Sequence, residues 1–174
     1  MKKNSSSVKS AAAKRPSEAF LADAMLGSLA RKLRIFGFDT EYLAGADDDK
    51  VLARGIEQGR IILTADRELF KRMVKRGARG VLVEGAGDLE DMAHVLSKLG
   101  LELDDAKMCS RCAACNGLLE EVTRKDAHGV PQGVLERQSQ FFKCTICGKV
   151  YWEGGHMQKM SAFAKQLRAR LAKG

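Results

Sequence analysis

The chain has 174 residues, 45% of them hydrophobic and 30% charged, with a formal net charge of +8. No apolar run is long enough to span a bilayer, and a chain of this size holds one compact domain with a small satellite. Basicity belongs to the ends: residues 1–17 and 156–174 each carry five basic and no acidic side chains, while 18–155 hold 20 basic against 22 acidic.

Taken in chain order, residues 1–17 are Lys, Ser and Ala with little to bury, so they read as a disordered basic tail. Such a tail holds phosphates non-specifically or merely keeps the chain soluble. Ala19 to Ala22 then reads as a strand ending at Asp23, and Leu26 to Phe36 as a helix closed by Gly37. Leu29, Leu33 and Phe36 share its buried face, leaving Arg31, Lys32 and Arg34 towards solvent or a ligand. Thr40 to Leu43 is a predicted strand, Asp48 to Gln58 a helix, Ile61 to Thr64 a strand and Arg67 to Lys75 a helix. The strand Gly80 to Glu84 and the helix Leu89 to Leu99 continue the alternation. This β-α-β-α order is the signature of an α/β fold, a parallel sheet covered by helices, occupying about 18–104. Asp104 to Met108 links it to a cysteine-rich segment over 105–156, and 157–174 forms a basic amphipathic C-terminal helix.

In open parallel sheets, chemistry gathers beyond the carboxyl ends of the strands. Asp23 and Asp66 each stand just past a predicted strand, and Asp47, Asp48 and Asp49 open the helix between them. Clustered carboxylates repel unless a hard divalent cation such as Mg²⁺ or Mn²⁺ stabilises them. The competing role of an Asp at such a junction is to cap the helix that follows. His94 lies within a predicted helix and His128 in a turn-rich stretch, and neither is needed for this chemistry.

The cysteines carry the sharpest spacing. Cys112-Ala-Ala-Cys115 and Cys144-Thr-Ile-Cys147 are two C-x-x-C units that can close a tetrahedral zinc site. Asn116-Gly117 and Gly148 follow the second cysteine of each pair and let the chain fold back beneath the metal. Cys109 is then the odd thiol, although its own spacing to Cys112 leaves open a set in which Cys109 replaces Cys115. An odd total of 5 cysteines and no apolar N-terminal signal segment argue against disulfides and for a reducing, cytoplasmic compartment. An iron–sulfur cluster is a weaker alternative, because Leu119 stands where its fourth cysteine belongs. Four thiolates leave no open coordination position, so the zinc is expected to be structural. The 28 residues between the pairs require a long hairpin or an insertion, with a turn at Gly129 to Gly133. Phe141, Phe142, Tyr151 and Trp152 flank the second pair, where aromatic rings build the core of a small zinc domain or stack on unpaired bases, with Arg137 and Lys143 near for phosphates.

Five stretches together carry a family likeness: Phe20 to Arg34 (FLADAMLGSLARKLR), Gly37 to Thr40 (GFDT), Ile62 to Arg67 (ILTADR), Cys112 to Gly117 (CAACNG) and Cys147 to His156 (CGKVYWEGGH). The chain resembles the Mut-seven C-terminal RNase family from Phe20 to about His156. The resemblance implies a PIN-like nuclease fold with a zinc ribbon near its C-terminus, and metal-dependent cleavage of RNA. It places the family's acidic positions on Asp23, on Asp48 or Asp49, and on Asp66, with Arg67 after the last. Asp47 and Glu84 are candidates for a fourth acid. Ala113 stands where the family often has proline, a change that leaves ligation intact.

The reading that results is a ribonuclease. Asp23 and Asp66 are the expected principal ligands of a catalytic Mg²⁺ or Mn²⁺, completed by Asp48 or Asp49, and Cys112, Cys115, Cys144 and Cys147 hold zinc. Arg67, Arg31, Lys32 or Arg34 would steady the phosphate. The expected partner is RNA, with the ribosome or tRNA as candidates, and no membrane. The rival class is a catalytically inactive RNA- or ribosome-binding module that keeps the ribbon and has no need of the carboxylates.

Overall fold

Side chains alternate along the first strand, β1 (Ala19–Ala22), so that Phe20 and Ala22 face one side of a sheet and Leu21 the other. The computed structural model that shows this describes residues 18–173, apart from the side chains of 155–157. The basic N-terminal tail and the side chain of His156 lie outside the described residues.

After β1 come α1 (Gly27–Ile35), β2 (Asp39–Tyr42), α2 (Asp48–Gln58), β3 (Ile61–Thr64), α3 (Arg67–Lys75), β4 (Gly80–Leu82) and α4 (Asp88–Leu99). The four strands are parallel in the order β2-β1-β3-β4. The α/β architecture expected from the sequence is therefore present, with most boundaries within two residues. Glu84 and Val83 lie past the end of β4, and Ala24–Leu26 form a 3-10 turn ahead of α1.

Each face of the sheet has its own core. Phe20, Ile61, Leu63 and Val81 pack with Leu29 and Leu33 of α1 and Met92, Val95 and Leu96 of α4. On the opposite face Leu21 and Ile62 pack with Val51 and Leu52 of α2 and Leu69 and Met73 of α3. Burying each of these large side chains contributes roughly 1.5–3 kcal/mol. The chain leaves β1 in opposite directions towards β2 and, after α2, towards β3, so the carboxyl ends of β1 and β3 flank the reversal point of the sheet.

The cysteine-rich segment forms a second, antiparallel sheet of β5 (Leu119–Val122), β6 (Phe141–Cys144) and β7 (Val150–Trp152). The long connection between β5 and β6 carries a 3-10 turn at Arg124–Asp126 and a short helix, α5 (Gln132–Arg137), the insertion that the cysteine spacing required. Phe141 is fully buried, whereas Trp152 opposite it remains 37% exposed. The last helix, α6 (Gly155–Leu171), returns to the first core: Ala164 and Leu167 are buried against it, and Phe163 meets Phe36 with ring centroids 5.7 Å apart. Among the described residues no helix is long and apolar enough to cross a membrane.

Candidate nuclease rim and metal centre

The rim is assembled by hydrogen bonds that begin at Thr64, the last residue of β3. Its hydroxyl donates to Asp23 Oδ2 and accepts from the Asp66 backbone N–H at 2.9 Å. Thr64 is fully buried and Asp23 is only 5% exposed, so the two acidic positions are joined through an interior hydroxyl and not through bulk water. Asp23 Oδ1 also accepts from Met25 N–H at 2.9 Å, and Asp66 Oδ1 accepts from Glu68 and Leu69 N–H at 2.6 and 3.1 Å. Both aspartates thus cap the turns that follow them. Capping occupies one oxygen of Asp66. Among the described residues its Oδ2 receives no hydrogen bond and faces no cation.

The acidic run at the start of α2 is engaged differently. Asp47 caps the helix by accepting from Lys50 N–H at 2.9 Å. Asp48 pairs with Arg72 of α3 at 3.2 Å, and Asp49 pairs with the other arm of the same guanidinium. Arg72, unnoticed in the sequence, lies one helical turn beyond the capped start of α3. Arg67 is exposed at the first position of that helix, and Glu84 is exposed in the loop after β4. Asp91, also unnoticed, is buried and accepts from Gly85 and Ala86 N–H at 3.1 and 3.3 Å, which fixes the loop after β4. His94 and His128 are exposed.

The basic face expected for α1 divides into three. Arg31 is exposed, while Lys32 pairs with Asp88 at 2.5 Å and lies over the Phe163 ring. Arg34 corrects the expectation: it is 6% exposed and turned inward. Its Nε donates to the Thr40 carbonyl at 2.7 Å, and its Nη1 donates to the carbonyls of Ala113 and Ala114 at 3.2 and 2.9 Å. An arginine fork pre-organised for several acceptors is well suited to this joint.

Cys112, Cys115, Cys144 and Cys147 bring their sulfurs within 4.8 Å of one another, and Cys109 is not part of this group. Among the described residues no other set of three or more metal-ligating side chains is so close. The sulfurs of Cys112 and Cys147 are 3.7 Å apart and those of Cys115 and Cys144 are 3.4 Å apart. Ligands at about 2.3 Å around a tetrahedral zinc place sulfurs at just such separations, whereas a disulfide needs about 2.05 Å. Burial pushes the Cys112 thiol up, but hydrogen bonds from Tyr151, at 3.1 Å, and from the backbone bring it down to about 6. Burial and the neighbouring Cys144 and Cys147 thiols push Cys115 up to about 12. Four sulfurs so close cannot all be charged without a cation, and the donor set fits a metal that prefers thiolate. Asn116, at the turn beneath the first pair, adopts φ 72° and accepts from Thr40 N–H at 3.0 Å while donating to Asp39 at 2.9 Å. The metal-binding turn is therefore seated on the outer edge of β2.

A parallel sheet with Asp23 and Asp66 linked through Thr64 at its reversal point, bearing a four-cysteine ribbon on one edge, is the build of a nuclease-like α/β protein. The chain belongs to the Mut7-C RNAse domain family, which it matches over residues 18–164. It is also similar to the human protein named exonuclease mut-7 homolog, with 25% identity over 230 aligned positions covering 87% of this chain. The match takes in 26% of that relative's length, so the chain spans about a quarter of it. The matched family is thus one of RNase domains, which supports a nuclease-like function.

Proposed function

We propose that the protein is a divalent-metal-dependent ribonuclease whose reaction centre is the Asp23–Thr64–Asp66 rim. The observation that carries this reading is the buried Thr64 hydroxyl, which ties the Asp23 carboxylate to the backbone of Asp66 at the reversal point of the sheet. Carboxylate oxygens are the right donors for Mg²⁺ or Mn²⁺. Asp23 and Asp66 would hold the ion, with Asp48 or Asp49 completing the site once released from Arg72. When bound, such an ion supplies an activated water and neutralises charge at phosphorus.

The remaining work falls to side chains. Thr64 keeps Asp23 turned into the rim, the backbone N–H groups of Glu68 and Leu69 fix Asp66, and Arg67 is exposed beside it to meet a phosphate oxygen. Cys112, Cys115, Cys144 and Cys147 would hold a structural zinc that orders the ribbon, a set compatible with a reducing, cytoplasmic setting.

A second reading rests on Arg72. Its guanidinium engages Asp48 and Asp49, the carboxylates that would complete the metal site, as an inactive RNA- or ribosome-binding module would permit. The test is cleavage of labelled single-stranded RNA, tRNA and circular RNA with Mn²⁺ or Mg²⁺, comparing wild type with Asp23→Asn. Metal-dependent cutting by wild type alone supports the nuclease. Binding without cutting by both proteins supports the module. Cutting of circular RNA establishes the endonucleolytic action that the PIN-like resemblance favours, and cutting of linear RNA only would align the chain with the exonuclease name of the human relative.

A further inference from the structure

The segment that opens with α3, just after its cap Asp66, carries an unbalanced charge. Between Arg67 and Arg79 the sequence has six basic side chains and one acidic, in a stretch from 18 to 155 whose totals are 20 and 22. Outside this segment the same stretch therefore holds 14 basic against 21 acidic residues. Leu69 and Met73 bury one side of α3, and Arg72 turns towards α2. Arg67, Lys71 and Lys75 recur every fourth residue on the exposed side, with Val74, 61% exposed, beside them. At 1.5 Å per residue this stripe runs for about 12 Å in steps of about 6 Å. Lys71 reaches Glu68 at 2.7 Å, but both side chains are mostly exposed, so the pair is worth little. Among the described residues Arg67, Lys75 and Arg76 have no ion-pair partner.

An ordinary solvated helix face mixes signs, as α2 does here: Lys50 pairs with Asp47, and Arg54 pairs with Glu41 and Glu57. The outer face of α3 has one acid, Glu68, against Arg67, Lys71 and Lys75. We propose that it is the track along which the backbone of single-stranded RNA approaches the Asp23–Asp66 rim, an inference that rests on the ribonuclease reading and names the surface that presents its substrate. Charge complementarity calls for a polyanion. The stripe starts at the residue next to Asp66, so a strand lying on Lys75 and Lys71 reaches the rim without changing direction. Val74 offers an apolar surface to a sugar or base between the two lysines. Such contacts position the strand without reading its sequence.

The test is binding of a labelled oligouridine without added divalent metal, followed by fluorescence anisotropy over a range of salt concentrations. The variant is Lys71→Gln with Lys75→Gln; the control removes two exposed lysines elsewhere, Lys125→Gln with Lys165→Gln. The stripe variant is expected to raise Kd about tenfold and to flatten the slope of log affinity against log salt by about 1.4, two single-strand phosphate contacts. Unchanged affinity and slope in the stripe variant, or equal losses in the control, would overturn the track. If wild type cleaves RNA and Asp23→Asn does not while the stripe variant binds normally, the track fails and the ribonuclease reading stands. If wild type neither binds nor cleaves, both fall.

Discussion

Arg34 donates to the carbonyl of Ala114 at 2.9 Å, so a buried cation of α1 holds the turn that carries Cys112 and Cys115. Burial lowers the pKa of this guanidinium, and the nearby Cys115 and Cys112 thiols oppose that shift, leaving it charged. A divalent ion with four thiolates has a net charge of −2, for which Arg34 is the adjacent buried counter-charge. The joint between the two sheets is thus electrostatic as well as hydrogen-bonded.

Replacing Arg34 by Ala leaves the carbonyls of Thr40, Ala113 and Ala114 without this donor. The expected cost is about 2–4 kcal/mol of stability, with faster loss of metal to a chromogenic chelator. Arg34→Lys keeps the charge without the fork and should fall between. Urea unfolding and chelator kinetics check both variants, and release at the wild-type rate from Arg34→Ala would contradict the role assigned to the joint.

Acid should loosen the same joint through Asp39. Burial would raise its pKa, but hydrogen bonds from Arg60 and Asn116 and the charges of Arg60 and Arg111 outweigh it and hold the carboxyl below its ordinary value. A depressed folded value gives stability that is complete above the unfolded value of about 3.9 and lost as pH falls through the folded one. Urea midpoints measured downward from pH 6 should therefore drop across and below the ordinary carboxylate range. Asp39→Asn should be less stable at pH 6 and show a shallower acid limb. Parallel limbs in the two proteins would exclude Asp39 as the source.

The elements with the strongest periodicity were the most legible. Asp48 to Gln58, with an acidic start and Gly59 at φ 62°, has the bounds its sequence announces. The cysteine quartet is the one that two matching C-x-x-C units favour, and the fold, not the spacing, sets Cys109 apart from it. What the sequence did not reveal is long-range. Nothing near Arg34 announces that its partners lie at Thr40, Ala113 and Ala114, and a Lys/Arg-rich helix face ordinarily faces water. Asn116 read as a residue tolerant of positive φ, yet it also caps the open edge of β2, a pairing that depends on where the ribbon docks. Nothing local distinguishes Arg72 either, because its acidic partners are on another helix. Thr64 stands within the Ile62 to Arg67 stretch, but its hydroxyl acquires meaning only when β1 and β3 become neighbours.

Metal loading separates the two ligand sets that spacing alone leaves open. Cys109→Ser should retain one zinc per chain by native mass spectrometry, because Cys109 lies outside the quartet. Cys112→Ser and Cys115→Ser should each lose it or bind it far more weakly. Loss of zinc from Cys109→Ser with retention in Cys115→Ser would replace the quartet by the alternative set. In the metal-free protein the small β5-β6-β7 sheet should lose its protection from amide exchange first, since little apolar area besides Phe141 holds it.

Thr64 offers a substitution pair whose order of effects depends on what its hydroxyl does. If the residue only packs, Thr64→Val should be benign, since it preserves shape, and Thr64→Ser should be worse by roughly 1 kcal/mol for the lost methyl. If the hydroxyl positions Asp23, the order reverses. Thr64→Val removes the donor from a carboxylate that is only 5% exposed, at a cost of about 1–3 kcal/mol, and lets Asp23 turn out of the rim. Thr64→Ser retains both the donation to Asp23 and the acceptance from Asp66 N–H. The expected result is a kcat for RNA cleavage that falls more in Thr64→Val than in Thr64→Ser, by at least tenfold, with RNA affinity unchanged in both. Equal kcat values, or a greater loss in Thr64→Ser, would reduce Thr64 to a packing residue and remove the link between the two aspartates.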